Sequence, residues 1–144
     1  MVKQSSIEKP GAYKAALWLI GVLFVLKIAY FFWYFSCIFR FSWDLPTIGT
    51  AALIIFDLVA FISIKRISWG GRIGTIAGYI VGAGFNLYVA IRWLEVIGRL
   101  FGNDRGVLLS WIIAMFVISV FYIITLITLL NPKVTMFFLK KATD

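Results

Sequence analysis

Residues 47–64 read TIGTAALIIFDLVAFISI, an apolar run with one charged side chain, Asp57, near its middle. Residues 15–39, AALWLIGVLFVLKIAYFFWYFSCIF, repeat the pattern with Lys27. Two further runs, 73–91 and 107–130, carry no charge at all. A helix needs about 20 apolar residues to cross about 30 Å of hydrocarbon. With no water in that layer, a spanning segment must satisfy its own backbone, which these runs can do as α-helices. The expected fold is therefore all-α. It is an integral membrane protein, an antiparallel four-transmembrane-helix bundle, because short connections place consecutive helices side by side.

Composition agrees. Of 144 residues, 62% are hydrophobic and 14% charged, against about 45–50% and 25% in soluble domains. The longest polar stretch is the first 14 residues, too short for a core of its own. We read a single membrane domain over residues 1–144. A signal peptide is the competing reading of the basic start and the apolar core Ala15 to Leu26. It fails at the cleavage site, since Lys27 is followed by IAYFFWYF with no small-residue pair.

The net charge of +8 would point to nucleic acid in a soluble protein. Here the basic residues flank apolar runs, where they orient the chain and meet anionic lipid. The expected partner is the lipid bilayer, with anionic lipids at the cytoplasmic face, and nucleic acid is not expected. With the N-terminus inside, the inner segments hold Lys3, Lys9, Lys14, Lys65, Arg66, Arg72, Lys133, Lys140 and Lys141. The outer segments hold Arg40, Arg92, Arg99 and Arg105. Both termini are thus predicted cytoplasmic, in a multi-pass protein of a bacterial inner or plasma membrane. All six tryptophans (Trp18, Trp33, Trp43, Trp69, Trp93 and Trp111) fall near predicted span ends or in short loops, as interfacial enrichment requires.

Punctuation sets the remaining boundaries. Pro10-Gly11 is a breaker before the first span, and Pro46 suits the first turn of the second. Gly70-Gly71 belongs to the link Lys65 to Arg72, and Asn131-Pro132 stops the fourth span. Residues 92–106 carry Arg92, Glu95 and Arg99 at helical spacing opposite Trp93, Val96, Ile97, Leu100 and Phe101. This connector is either an interfacial amphipathic helix or a continuation of the third span. The tail from Lys133 to Lys141 is expected to lie as an amphipathic turn on the inner surface.

What chemistry remains is narrow. There is no histidine, and Cys37 is the one cysteine. Neither a nucleophilic triad nor a cysteine-based metal site can be assembled from that inventory. No phosphate-binding glycine loop follows a strand. The chain is read as not an enzyme, with no catalytic residues, no metal and no cofactor. Cys37 is expected as a buried free thiol, with an interchain bridge as the alternative.

Two constellations lie inside the membrane. Gly74, Gly78 and Gly82 recur every fourth residue and lead to Asn86. Such a face admits a neighbouring helix closely, within the chain or in a homo-oligomer or another membrane protein. The second constellation centres on Lys27, with Tyr30 and Tyr34 on its face. At 1.5 Å per residue Lys27 lies about 18 Å from the inner edge and Asp57 about 11 Å, a gap of about 7 Å. A lysine stem closes much of that by snorkelling, so a Lys27–Asp57 pair is expected. Asn86 at about 20 Å and Ser119 at about 17 Å fall in the same layer. Tyr122 and Thr125 continue it toward Asp57. The candidate intramembrane polar site is Lys27, Asp57, Asn86, Ser119 and Tyr30.

Two functional readings follow. One is a non-catalytic accessory, assembly or immunity-type subunit acting by helix–helix association. The other is a small oligomeric transporter or channel using Asp57 and Lys27 as an ion or proton site. In helix number and in having a membrane carboxylate the chain resembles the small multidrug transporters. Their carboxylate lies in the first helix, whereas here the first helix carries Lys27 and the acid is in the second.

Overall fold

The computed structural model of the chain describes residues 9–37, 45–98 and 103–143. Five helices account for them: α1 (Gly11–Cys37), α2 (Leu45–Lys65), α3 (Trp69–Ile97), α4 (Asn103–Leu130) and α5 (Pro132–Thr143). No strand occurs among the described residues. Four of the helices are long and apolar enough to cross a membrane, which makes this a multi-pass membrane protein in outline. Expectations for Lys3, Arg40, Trp43, Arg99, Leu100, Phe101 and the Cys37 side chain fall outside the described residues.

The helix starts differ from the sequence reading in instructive ways. Pro10-Gly11 does not merely precede α1: the Pro10 carbonyl accepts from the Tyr13 and Lys14 amides at 2.9 and 3.3 Å and opens the helix. The α2–α3 link is only Arg66, Ile67 and Ser68. Gly70, Gly71 and Arg72, expected in that link, belong to the first turn of α3. Ser68 caps this turn, its hydroxyl accepting from the Gly71 amide at 3.1 Å. Arg92 to Ile97 continue α3, so this part of the expected connector takes its second form, an extension of the third helix. Arg92 and Glu95 pair there at 2.7 Å on an exposed face.

The link works by an end motif of α2. The Ser68 amide donates to Ser63 O at 3.2 Å and the Ile67 amide to Ile64 O at 3.0 Å. That bonding pattern needs a left-handed residue just past the helix. Ile67 supplies it with φ 56°, a strained choice for a β-branched side chain. Gly71 explains why the glycines are one turn further on. A Cβ there would sit 2.6 Å from Ser63 Cβ, so its absence lets α3 start hard against the end of α2.

Packing forms a ring. α1 touches α2 and α4, and α3 touches α2 and α4. At one end, the α5 end, side chains close over the helix termini. The Tyr13 hydroxyl donates to Ile64 O at 3.1 Å. Arg72 donates through Nε and Nη2 to Leu129 O at 3.1 and 2.7 Å, and through Nη2 to Thr135 Oγ1 at 2.6 Å. Ile64 O and Leu129 O are carbonyls of a last helical turn, beyond the reach of regular intrahelical bonds, and Ile64 O takes the Tyr13 hydroxyl in addition to the Ile67 amide. Val134, Phe137 and Phe138 of α5 are buried over this knot, with Phe137 and Phe138 against the Tyr13 ring. The tail is therefore a docked helix, where a surface turn was expected. Its apolar side found a protein face to bury against. The opposite, aromatic end gathers Tyr34, Trp93 and Trp111, with ring centroids 4.6 to 6.2 Å apart.

The Gly70–Gly71 pair yields a contrast. Gly70 has nothing within 4 Å of a would-be Cβ. Gly70→Ala should raise stability by about 0.5–1 kcal/mol, whereas Gly71→Ala should lower it by about 1–3 kcal/mol through overpacking. Thermal unfolding in detergent micelles measures both, and equal shifts would contradict the close approach of α3 to α2.

Candidate functional site

Lys27 and Asp57 are brought together. Lys27 Nζ lies 2.6 Å from Asp57 Oδ2, and both side chains are sealed from the surface, at 2% and 0% exposure. The ammonium has three protons to place. Besides Asp57 it meets the Tyr122 hydroxyl in a short contact and Leu53 O at 3.4 Å. The site thus draws on α1, α2 and α4. The ammonium also stands 4.3 Å from the Tyr122 ring centre. From α3 the Tyr79 hydroxyl lies beside the Asp57 carboxyl. The carboxylate is thus flanked by two proton donors, the Lys27 ammonium and the Tyr79 phenol.

Glycines make this convergence physically possible. A Cβ on Gly82 would lie 2.9 Å from Tyr122 Cζ and 3.2 Å from Leu53 Cδ2. Its absence lets the tyrosine ring swing toward Lys27. Gly78 receives the Phe56 ring in the same way, and Gly49 on α2 receives Phe85. The helix-packing glycines therefore divide. Gly78 and Gly82 meet α2 and α4 inside the chain, while Gly74 is exposed with open space around it. Residues four apart drift by about 40° around a helix, enough over two steps to carry Gly74 out of the seam.

The other expected members are placed less closely. Ser119 is buried, but its hydroxyl donates to Met115 O of its own helix at 2.9 Å. Thr125 does the same to Phe121 O at 2.8 Å. Asn86 is buried one turn beyond Gly82, with no partner for Nδ2 among the described residues. Tyr30 is buried one turn beyond Lys27, its ring 6.3 Å from that of Tyr34. It lines a crevice of about 10 Å³ with Phe31, Tyr34, Thr47 and Thr50. That volume is about what one water needs.

Sequence reasoning missed Tyr79, the Leu53 carbonyl and Gly49. Tyr79 had a signal, since it follows Gly78 and sits a turn before Gly82 on a helix already singled out. A backbone carbonyl carries no sequence signal at all. Arg72 and Tyr13 were also read otherwise, one as a loop charge and one as part of a polar leader.

Chemically, the arrangement stores two opposite charges in a medium where either alone is costly, about 2.5–3.5 kcal/mol on insertion scales. It does not place a nucleophile against a base. No group of three or more metal-ligating side chains occurs among the described residues. No protein family, curated protein or solved structure matches this chain.

Coupling within the pair is measurable. Lys27→Met and Asp57→Asn should each destabilise by about 3–5 kcal/mol, because each leaves one buried charge alone. The double variant should be more stable than either single one. A double-mutant cycle by denaturant unfolding in micelles reads this directly, and additive losses would refute the pairing.

Proposed function

We propose that the chain is a non-catalytic membrane subunit, of accessory, assembly or immunity type, that acts by helix–helix association. One observation carries this reading. The Lys27 and Asp57 charges and the Tyr122 phenol are engaged in holding its own helices together, with Lys27 bound to Asp57, Tyr122 and Leu53 O. Arg72 and Tyr13 are spent likewise on helix ends. The two crevices beside Tyr30 hold about 10 Å³ each, room for one water apiece, and the cavity of about 540 Å³ lies at the helix ends, among Lys9, Pro10, Asn131 and Lys133, and is lined by none of the ion pair's residues. The surface left over is apolar helix, suited to lipid or to another membrane protein.

In this reading the four spans form an antiparallel bundle with both termini cytoplasmic. The meeting of the α1 start, α2 end, α3 start and α4 end supports that arrangement. Lys9, Lys14, Lys65, Lys133, Lys140 and Lys141 then cluster at the inner face, facing anionic lipid of a bacterial inner membrane.

A specific observation favours the second reading, an oligomeric transporter or channel. Asn86 Nδ2 is a buried donor with no acceptor among the described residues, as a group reserved for a passing solute would be. Proton-coupled flux in reconstituted vesicles separates the two. Flux in wild type that disappears in folded Asp57→Asn would establish transport. No flux in either, with a second membrane protein or further copies co-purifying in mild detergent, is the expected outcome.

A further inference from the structure

The ion pair sits on a seam between α1 and α2 whose two halves differ in kind. Toward the α5 end the buried residues of α1 are Leu23, Ile20 and Ala16, and those of α2 are Ala60 and Ile64, all at 0–2% exposure. This half is apolar until the Tyr13 hydroxyl closes on Ile64 O. Toward the aromatic end the buried residues are Tyr30 and Tyr34 on α1 and Thr47 and Thr50 on α2. Four hydroxyls therefore line one half of the seam and none the other half above Tyr13.

The spacing makes this a track. On α1, Lys27, Tyr30 and Tyr34 stand at i, i+3 and i+7. On α2, Thr47, Thr50 and Asp57 stand at i, i+3 and i+10, with the Leu53 carbonyl between the last two. Both sets keep to one helix face. The crevice of about 10 Å³ walled by Tyr30, Phe31, Tyr34, Thr47 and Thr50 lies on this track, and a second of about 10 Å³ reaches the other side of Tyr30, among Trp93, Trp111 and Met115. Across the bundle the way toward the α5 end is blocked. The Tyr79 and Tyr122 rings pack at 4.8 Å, both at 0% exposure. Beyond them Thr75 and Thr125 bond to their own helices, and Arg72 is pinned to Leu129 O.

We propose that water, and the protons it carries, reach the Lys27–Asp57 pair from the aromatic end alone, along Thr47, Tyr34, Thr50 and Tyr30. The ligand is a proton. A hydronium arriving in that water gives one proton to the Asp57 carboxylate, leaving water behind and a neutral carboxyl. Lys27 then keeps its charge against the Tyr122 hydroxyl and Leu53 O, and Tyr79 is the phenol facing Asp57 from α3. The pair is thus a proton site open to one membrane face, whichever of the two functional readings holds.

Thiol chemistry tests the route, because only a cysteine that water reaches forms the reactive thiolate. In a Cys37→Ser background, single Thr50→Cys, Thr47→Cys, Ala60→Cys and Ala16→Cys variants in nanodiscs are treated with a small charged methanethiosulfonate and weighed intact. The two threonine sites should react about tenfold or more faster than the two alanine sites. Equal rates, faster reaction at the alanine sites, or no reaction at either threonine site would overturn the route. Having two sites in each half guards against one variant that fails to fold.

A second measurement reads the proton. In sealed vesicles of uniform orientation, an acid jump outside should raise an infrared carboxyl band that Asp57→Asn lacks. The band should rise promptly when the aromatic end faces the jump, and only after the lumen equilibrates when the α5 end does. The same speed from both sides, or no band dependent on Asp57, would overturn the proton site.

Discussion

A buried ammonium and carboxylate 2.6 Å apart constrain every helix that touches them. Either charge alone is costly at that depth. α1 and α2 must therefore stay in register, since a slip of one residue would rotate a charge into lipid. α4 is drawn in because the third ammonium proton needs an oxygen, and Tyr122 supplies it. α3 contributes mostly by what it lacks, because Gly82 leaves space for the Tyr122 ring.

The same constraint explains the α5 end. Helix termini expose carbonyls that lipid cannot satisfy. Arg72 answers for Leu129, and the Tyr13 hydroxyl joins the Ile67 amide on Ile64 O. A guanidinium suits that duty, offering several donors in one plane. It also stands 5.1 Å from the Trp69 ring and 5.9 Å from Phe138. α5 completes the closure by laying Val134, Phe137 and Phe138 over these bonds. Elsewhere large apolar residues such as Ile55, Val81 and Ile127 are more than half exposed, as lipid-facing surface should be.

Much of the site was legible because depth along a helix is linear in residue number. Counting at a fixed rise brings Lys27 and Asp57 within reach without any knowledge of packing. Rotation about the helix axis is harder to read. Tyr30 shares a face with Lys27 on paper, yet the tyrosine that bonds the ammonium comes from α4. Ser119 lies at the right depth but bonds its own helix. The glycine row looked like one seam, and its small angular drift splits it. The α2–α3 link was drawn too long because Gly70-Gly71 was counted into it. The chain instead puts Ile67 in the left-handed conformation and keeps Gly71 for a close approach to Ser63.

By itself the sequence determined that this chain is helical, that four of its segments can span a membrane, and that two opposite charges lie near the same depth. Length and hydropathy decide those points, and both are local properties. Only the tertiary structure decided which side chains complete the Lys27–Asp57 pair, which glycines admit a neighbour, and that the hydroxyls fall on one half of the seam. Those depend on how each helix is turned about its axis, and that rotation is set by contacts between segments distant in the chain.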